Sequence, residues 1–478
     1  MLKVNVKVFF CFSVAFLTIQ SSVFAQKTYS LEECVNIALQ NNIQTKQQNL
    51  QTENAQIDAK QSKLAALPNL NAQATNNWQT GFNINPRTNT PEENLAFRTN
   101  SLGASTSLPL FNGFQTVNNI RLKESDYQAS KLDLENTRNT LKLNVANSYL
   151  RVLQQNEALD AAKNQIATTK NQLDRQQKLY DLGGLNKSKL LQLKAQLASE
   201  ELNLITQQNL LNSAYLDLWQ LIDLQPDTAN KIVKLDVNKV VIEDENRTPL
   251  AIYTDFEKQS PDVLAAKQRE RSASLQHYVA LGGRSPRISL NGSLSSFYTT
   301  LNTQGVGNPT LFTLPIGTVE GTNQVVNTVR AVYSNTETIS FGNQMSKNFG
   351  TSLGFTLSVP VFNGWSVNSN IQKATIQMEV AKLTEKQTQQ NLFKSINTAL
   401  LNFKNAQLRH TAALQSLEAN KEAVDISEKQ FELGGLSLTD YLASKNSYVK
   451  AETDYLQAKY ELVFRKKVLD FYSGKPLN

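Results

Sequence analysis

The sequence predicts a mixed, mainly α fold built twice in one chain, with paired β-strands leading into helices too long for a compact core. Three observations carry this. Leu108-Pro109-Leu110-Phe111-Asn112-Gly113-Phe114 returns 251 residues later as Val359-Pro360-Val361-Phe362-Asn363-Gly364-Trp365. Tyr180-Asp181-Leu182-Gly183-Gly184-Leu185 returns as Phe431-Glu432-Leu433-Gly434-Gly435-Leu436, again after 251 residues. Two motifs recurring at one spacing mark a duplicated element of fixed length, and a repeat of this kind governs the fold. Third, Gly and Pro, the residues that break regular structure, are absent from 115–182 and from 366–433, two runs of 68 residues.

The elements follow in order. Lys3 and Lys7 precede an apolar run from Val8 to Ile19, and Val23-Phe24-Ala25 closes it. Residues 1–25 read as a secretory signal cut before Gln26. The run is shorter than the roughly 20 residues a bilayer-spanning helix needs. Cys34 would then be the only thiol, which excludes an intrachain disulfide. Loss of the two lysines lowers the formal charge from +7 to +5. The remaining Lys and Arg alternate with acids and amides, a solvated surface and not a nucleic-acid footprint.

The first repeat is expected over 26–225. It opens with a helix over about Ser30 to Leu67. Leu70, Ala72, Ala74 and Trp78 then alternate with Asn71, Gln73 and Thr75, and Leu102, Ala104, Leu108 and Leu110 with Ser101, Ser105 and Ser107. Apolar–polar alternation over about ten residues suits a tilted strand crossing a bilayer. A polar loop over 79–99 should join the two strands. The first glycine- and proline-free run follows as a helix of roughly 100 Å at 1.5 Å per residue, against a usual helix of about 11–12 residues. Val145, Val152, Leu159, Ile166, Leu173 and Tyr180 recur every seven residues along it, the spacing of left-handed supercoiling. Gly183-Gly184 turns the chain into a second helix over Leu185 to Gln225. After a linker over 226–248 the second repeat, 249–478, runs the same course. Its first helix is interrupted at Pro261, strands surround Ile288, Leu290, Leu294 and Leu353 to Val361, and the polar loop between them covers 299–350. Pro68 and Pro286, which start the first strands, are 218 residues apart, so the second hairpin and its loop hold 33 extra residues.

Four strands per chain cannot close a barrel, and an open sheet edge in lipid costs several kcal/mol per unpaired backbone group. Two copies give eight strands, a barrel filled by its own side chains. Three give twelve strands around an open lumen, with the helices continuing as a second tube.

Strand–strand–long helix–Gly turn–helix units, with Val359-Pro360-Val361-Phe362-Asn363-Gly364 before the helix and Phe431 to Leu442 at the turn, resemble the TolC family of outer-membrane efflux proteins over essentially the whole mature chain. The resemblance implies a homotrimeric, twelve-stranded transmembrane β-barrel in outer-membrane lipid, four strands per protomer, continued by a long periplasmic α-helical barrel. It implies docking to a periplasmic adaptor (a membrane fusion protein) and to an inner-membrane efflux pump or secretion transporter. The segment 226–249 would fall in the family's equatorial belt. Two other readings are open: a trimeric coiled-coil surface adhesin with a barrel anchor, which needs strands at one end only, and a diffusion porin, which has no use for such long helices.

Little points to catalysis. His277 and His410 are the only histidines, in different repeats, and His410 occupies a heptad slot. The sequence shows no nucleophile–base order, metal-ligand spacing or phosphate-cradling loop, so no enzyme activity, cofactor, metal or nucleic acid is expected. The Gly pairs give a helix end its left-handed residue. By resemblance they also form the periplasmic tip that meets the adaptor. That role falls on Gly183, Gly184, Leu185 and Ser188, and on Gly434, Gly435, Leu436 and Thr439. Resemblance likewise places Asp440, Lys189, Leu436 and Phe431 at the periplasmic aperture. A threefold ring of Asp440 carboxylates would attract cations; alternatively Asp440 is an acid favoured by the helix dipole. Lys189 stands where the family often has a second acid, and Leu436 where some members have an Arg, so a Lys189–Asp440 pair across the closed tip is the expected latch.

Overall fold

The computed structural model describes residues 28–84, 90–183, 186–225, 231–234 and 247–475. The expected signal segment and most of the expected linker lie outside them.

A short strand β1 (Thr28–Tyr29) leads into α1 (Leu31–Asn41) and α2 (Ile43–Leu64). Ser30 starts α1 with a reciprocal cap: its hydroxyl accepts from Glu33 N and the Glu33 carboxylate accepts from Ser30 N. The single helix expected over Ser30 to Leu67 is therefore two. Asn42 breaks it with an extended backbone, accepts from Thr45 N and donates to the Leu221 carbonyl, 3.0 Å away.

Strands β2 (Asn69–Ile84) and β3 (Pro91–Phe111) follow, then α3 (Gln115–Asp181), α4 (Lys187–Leu221) and β4 (Lys231–Ile232). The second half comprises α5 (Pro249–Glu257), α6 (Pro261–Gly282), β5 (Arg287–Thr299), β6 (Thr303–Val306), β7 (Thr310–Thr318), β8 (Val325–Val332), β9 (Asn335–Thr338), α7 (Phe341–Lys347), β10 (Gly350–Ser358), α8 (Ser366–Glu432) and α9 (Leu438–Tyr472). Helices α3 and α8 each have 67 residues, and α4 and α9 each have 35.

The repeated Asn-Gly-aromatic motif is a backbone device. Gly113 and Phe114, and likewise Gly364 and Trp365, all have positive φ. Gln115 N reaches the Asn112 carbonyl and Ser366 N the Asn363 carbonyl. Each motif is thus a four-residue turn whose two central residues, the Gly and the aromatic, are both left-handed, a conformation glycine takes freely and a bulky side chain rarely. It reverses the chain from strand into long helix. At Gly113 a Cβ would also meet the Gly282 carbonyl oxygen at 2.5 Å.

Both expected polar loops need correction. The ladder between β2 and β3 runs from Asn69–Ser107 up to Ile84–Pro91, so most of 79–99 is strand. Thr80, Phe82, Ile84 and Phe97 supply enough β-forming character to extend the hairpin past a bilayer's need. The 299–350 segment carries four strands and a helix: β6 pairs with β9, β7 pairs with β8, and α7 packs on β5. In contrast, β10 stops at Ser358, short of the alternation that continues to Val361.

Contacts group the chain into two units, each drawing on both repeats. One holds Asn49–Leu134 and Ser260–Gln390. Its centre is an antiparallel sheet in the order β10-β5-β3-β2, so the two hairpins fuse through β3 and β5. The other unit holds Glu135–Gln259 and Asn391–Asn478 with the described residues up to Gln48. Its core gathers Val145, Tyr149, Val152, Leu218, Trp219 and Val463 around Cys34. There β1 and β4 pair in parallel, and the Tyr149 hydroxyl donates to the Val233 carbonyl at 2.7 Å, tying the described part of the linker to the middle of α3.

Candidate functional site

Two surfaces carry the functional reading: the faces of the sheet and the turns between the long helices.

The sheet sorts its residues by chemistry. Register places Ala72 opposite Ala104 and Ala104 opposite Leu294; Leu108 stands opposite Leu290, and Leu290 opposite Phe355. These positions share one face across all four strands, since side chains alternate. Leu70, Leu353 and Phe355 on that face are each at least 75% exposed. The opposite face carries Asn71, Gln73, Ser105, Ser107, Asn291, Ser293, Ser352 and Thr356. An apolar face without cover and a polar face behind it is the pattern of a sheet with lipid on one side and water on the other. Among the described residues no helix is long and apolar enough to cross a membrane.

The helix turns begin with glycine for a conformational reason. Gly183 has φ +79° and Gly434 φ +77°, the left-handed region in which a Cβ is strained. Gly434 N donates to the Phe431 carbonyl and Gly435 N to the Gln430 carbonyl at 2.8 Å. This nested pair of bonds closes α8 with its last carbonyls satisfied. Gly183 N donates to the Tyr180 carbonyl in the matching place. Nothing lies within 4 Å of a Cβ built at Gly183 or Gly434, so the turns are bare. Gly184 and Leu185 lie outside the described residues.

Beyond the turns, Asn186 caps α4 by accepting from Ser188 N, and Ser437 caps α9 by accepting from Asp440 N. The Ser437 hydroxyl also donates to the Asp440 carboxylate at 2.7 Å. Asp440 thus occupies the acidic first turn of α9. Ser188, Lys189, Thr439 and Asp440 are exposed, but the ion pairs among the described residues do not join Lys189 to Asp440 within one chain. Leu436 and Phe431 are half-buried within the chain. They pack on Leu193, Leu438 and Tyr441, and the Phe431 ring stacks on Tyr441 at 5.3 Å.

The structure adds residues that sequence reasoning missed. Gln172 on α3 donates to Glu428 on α8 at 2.8 Å and to the Tyr441 hydroxyl on α9. Arg175 pairs with Glu432. One turn of α3 earlier lies a buried ion pair, Lys445 to Glu200 at 3.1 Å, each side chain 5% exposed. Thr169 donates to Glu200 and accepts from Lys445, while Gln165 and Gln196 also donate to Glu200. These bonds tie the helix pair of the first repeat to that of the second. Their signal is a broken echo: 251 residues after Glu200 stands Ala451, and 251 before Lys445 stands Lys194. Burial pushes the Tyr441 hydroxyl up to about 12.

Both histidines have structural partners. His277 shares a hydrogen bond with Thr375, and His410 packs on Tyr455, its pKa lowered by burial and by nearby Lys459. Among the described residues no three His, Cys, Asp or Glu side chains gather to hold a metal.

Residues 34–223 and 252–475 match the outer membrane efflux protein family. The chain belongs to that family. Its relatives are distant: the outer membrane protein TolC of Vibrio cholerae is 21% identical over 94% of this chain and 91% of its own length. The toxin and drug export protein A of Aggregatibacter actinomycetemcomitans is 22% identical over 76% of this chain and 70% of its own. The CmeC outer membrane channel of Campylobacter jejuni superimposes with a TM-score of 0.73 at 18% identity, over 93% of this chain and 85% of its own. Membership of an outer membrane efflux family decides between the channel and adhesin readings. The chain is an outer-membrane efflux channel protein of a family of ducts, not of enzymes.

Proposed function

We propose that three copies close their sheets into a twelve-stranded barrel in the outer membrane, that the helices continue as a duct into the periplasm, and that the Gly turns form a tip docking a periplasmic adaptor coupled to an inner-membrane pump or secretion transporter. The observation that carries this is the four-stranded sheet, apolar on one face, with no strand beside β2 or β10 at its edges among the described residues. In lipid such edges need partners, and a ring of identical copies supplies them by symmetry.

Aromatic residues support the membrane placement. Phe114, Phe362 and Trp365 are exposed where the strands give way to the helices, and the Phe114 ring lies 5.5 Å from that of Phe111. Trp78 is exposed at the other end, opposite Arg98. Phe111 and Arg98 are thirteen residues apart on β3. At about 3.3 Å per residue and a tilt near 45° they stand roughly 30 Å apart along the membrane normal, the thickness of a hydrocarbon core. Interfacial aromatics flank the apolar band of outer-membrane barrels.

The adaptor surface in this reading comprises Gly183, Gly184, Leu185, Ser188, Gly434, Gly435, Leu436 and Thr439. The bareness of the turns favours it, because a partner backbone can approach closely. Gly434→Trp should abolish adaptor-dependent efflux while the trimer still forms; normal drug resistance in that variant would refute the assignment. Lys189 and Asp440 occupy corresponding first turns of α4 and α9, and we place their pairing between neighbouring copies at the aperture. Asp440→Ala and Lys189→Ala should each raise single-channel conductance, and unchanged traces would remove the latch. The signal segment 1–25 belongs to the same reading, as the means of export.

A further inference from the structure

The two edges of the sheet are unequal, and the inequality points to a second contact between copies. Strand β2 has 16 residues and β10 has nine. If β10 of one copy lies beside β2 of the next, at least seven residues of the β2 edge stay uncovered. The top of the sheet shows where. Gly350, the first residue of β10, stands opposite Ser295, which stands opposite Gly103, which stands opposite Gln73. Strand β5 ends at Thr299, level with Thr99 and Asn77. Strand β2 continues above both, from Trp78 to Ile84.

The chain already solves this problem at its other edge. Where β10 stops, α7 stands in its place and supplies side chains instead of a ladder. Gln344, 1% exposed, accepts from Thr299 N at 3.1 Å and donates to the Thr299 and Ile339 carbonyls at 2.9 and 2.8 Å. Asn348 donates to the Phe297 carbonyl at 2.7 Å, and Ser296 to the Met345 carbonyl at 2.6 Å. Helix α7 is thereby fixed above β10, with β9 beyond it; all four residues of β9 are exposed, as is Phe341 of α7.

We propose that the upper part of β2, Trp78 to Ile84, lies against α7 and β9 of the neighbouring copy, a rim contact above the barrel seam. The inference rests on the trimeric reading above. Continuity selects the occupant: in a ring with strand order β10-β5-β3-β2 the element beside the top of β2 is whatever stands above the next copy's β10, and that is α7. Lipid is the competing occupant for exposed Phe82. However, Phe82 lies four residues beyond Trp78, roughly 9 Å further along the membrane normal at the same rise and tilt, and so outside the apolar band bounded by Trp78. Helix α7 and β9 belong to the second hairpin, the one that is 33 residues longer, so the contact would be a use for that added length.

Cysteine crosslinking tests it. Cys34 is buried and its thiol is pushed up to about 12, so the native cysteine stays silent. Phe82→Cys combined with Gly342→Cys on α7, where an added side chain meets nothing within 4 Å, is treated in outer-membrane vesicles with a short bismaleimide. The expected result is covalent dimers and trimers after boiling in SDS, with each single variant monomeric. Native mass spectrometry of the same preparations reads the trimer separately. A trimer that gives no ladder overturns the rim contact and leaves the trimeric reading standing; a monomer overturns both. Quenching of a bimane on Phe82→Cys by brominated phospholipid would assign that edge to lipid and also overturn the proposal.

Discussion

Tyr441 shows how much one residue at the tip is asked to do. Its ring stacks on Phe431, its hydroxyl accepts from Gln172, and it is 1% exposed. Burial is the largest cause of its raised pKa, with Glu428, Glu200 and Glu432 adding in the same direction and the Gln172 bond opposing them. The buried phenolate is disfavoured, so the folded value exceeds the unfolded value near 10. The contribution to stability is then full below pH 10 and lost as pH rises through about 12. Tyr253 is also pushed up to about 12, so titration of tyrosinate absorbance in Tyr441→Phe should lose one of the groups that ionise near 12. A difference curve centred near 10 would mean that the side chain is solvated and the tip looser than described.

At the scale of elements, the long helices and their turns were legible because their signals are local. The absence of Gly and Pro over 115–182 and 366–433 became α3 and α8, and the first glycine of each pair, Gly183 and Gly434, became a left-handed helix end. The upper hairpins were not legible, because residues 79–99 and 299–350 are polar enough to read as loop; only pairing across the hairpin makes them strand. The ties between helix pairs were hidden for a related reason. Glu200 and Lys445 look like solvated charges in one dimension, and only packing buries them together. A charge buried without its partner costs several kcal/mol, whereas removing both can be close to neutral. Glu200→Ala and Lys445→Ala should therefore each lower unfolding stability by about 3–5 kcal/mol. The double variant, which sets Ala at 200 as the second repeat does at 451, should recover much of the loss. A denaturation double-mutant cycle measures this, and additive losses would show that the pair does not act as a unit.

For the whole molecule, the equal lengths of α3 and α8, and of α4 and α9, have a mechanical consequence. The bonds from Gln172 to Glu428 and from Lys445 to Glu200 form only if both turns stand at the same depth. Removing one heptad from a helix shifts everything below it by roughly 10 Å at 1.5 Å per residue while preserving the face it presents. Deleting Ala158–Asn164 from α3 and Leu202–Gln208 from α4 should therefore raise the first turn past the second, break these ties and lower the unfolding midpoint sharply. Adding the corresponding deletions Arg409–Gln415 in α8 and Thr453–Lys459 in α9 shortens both repeats alike and should restore most of the midpoint, although more residues are missing. Thermal unfolding of the three proteins decides the matter. If the four-helix deletion is no more stable than the two-helix one, equal depth is not what the duplicated length maintains, and the 251-residue spacing reflects ancestry without present mechanical use.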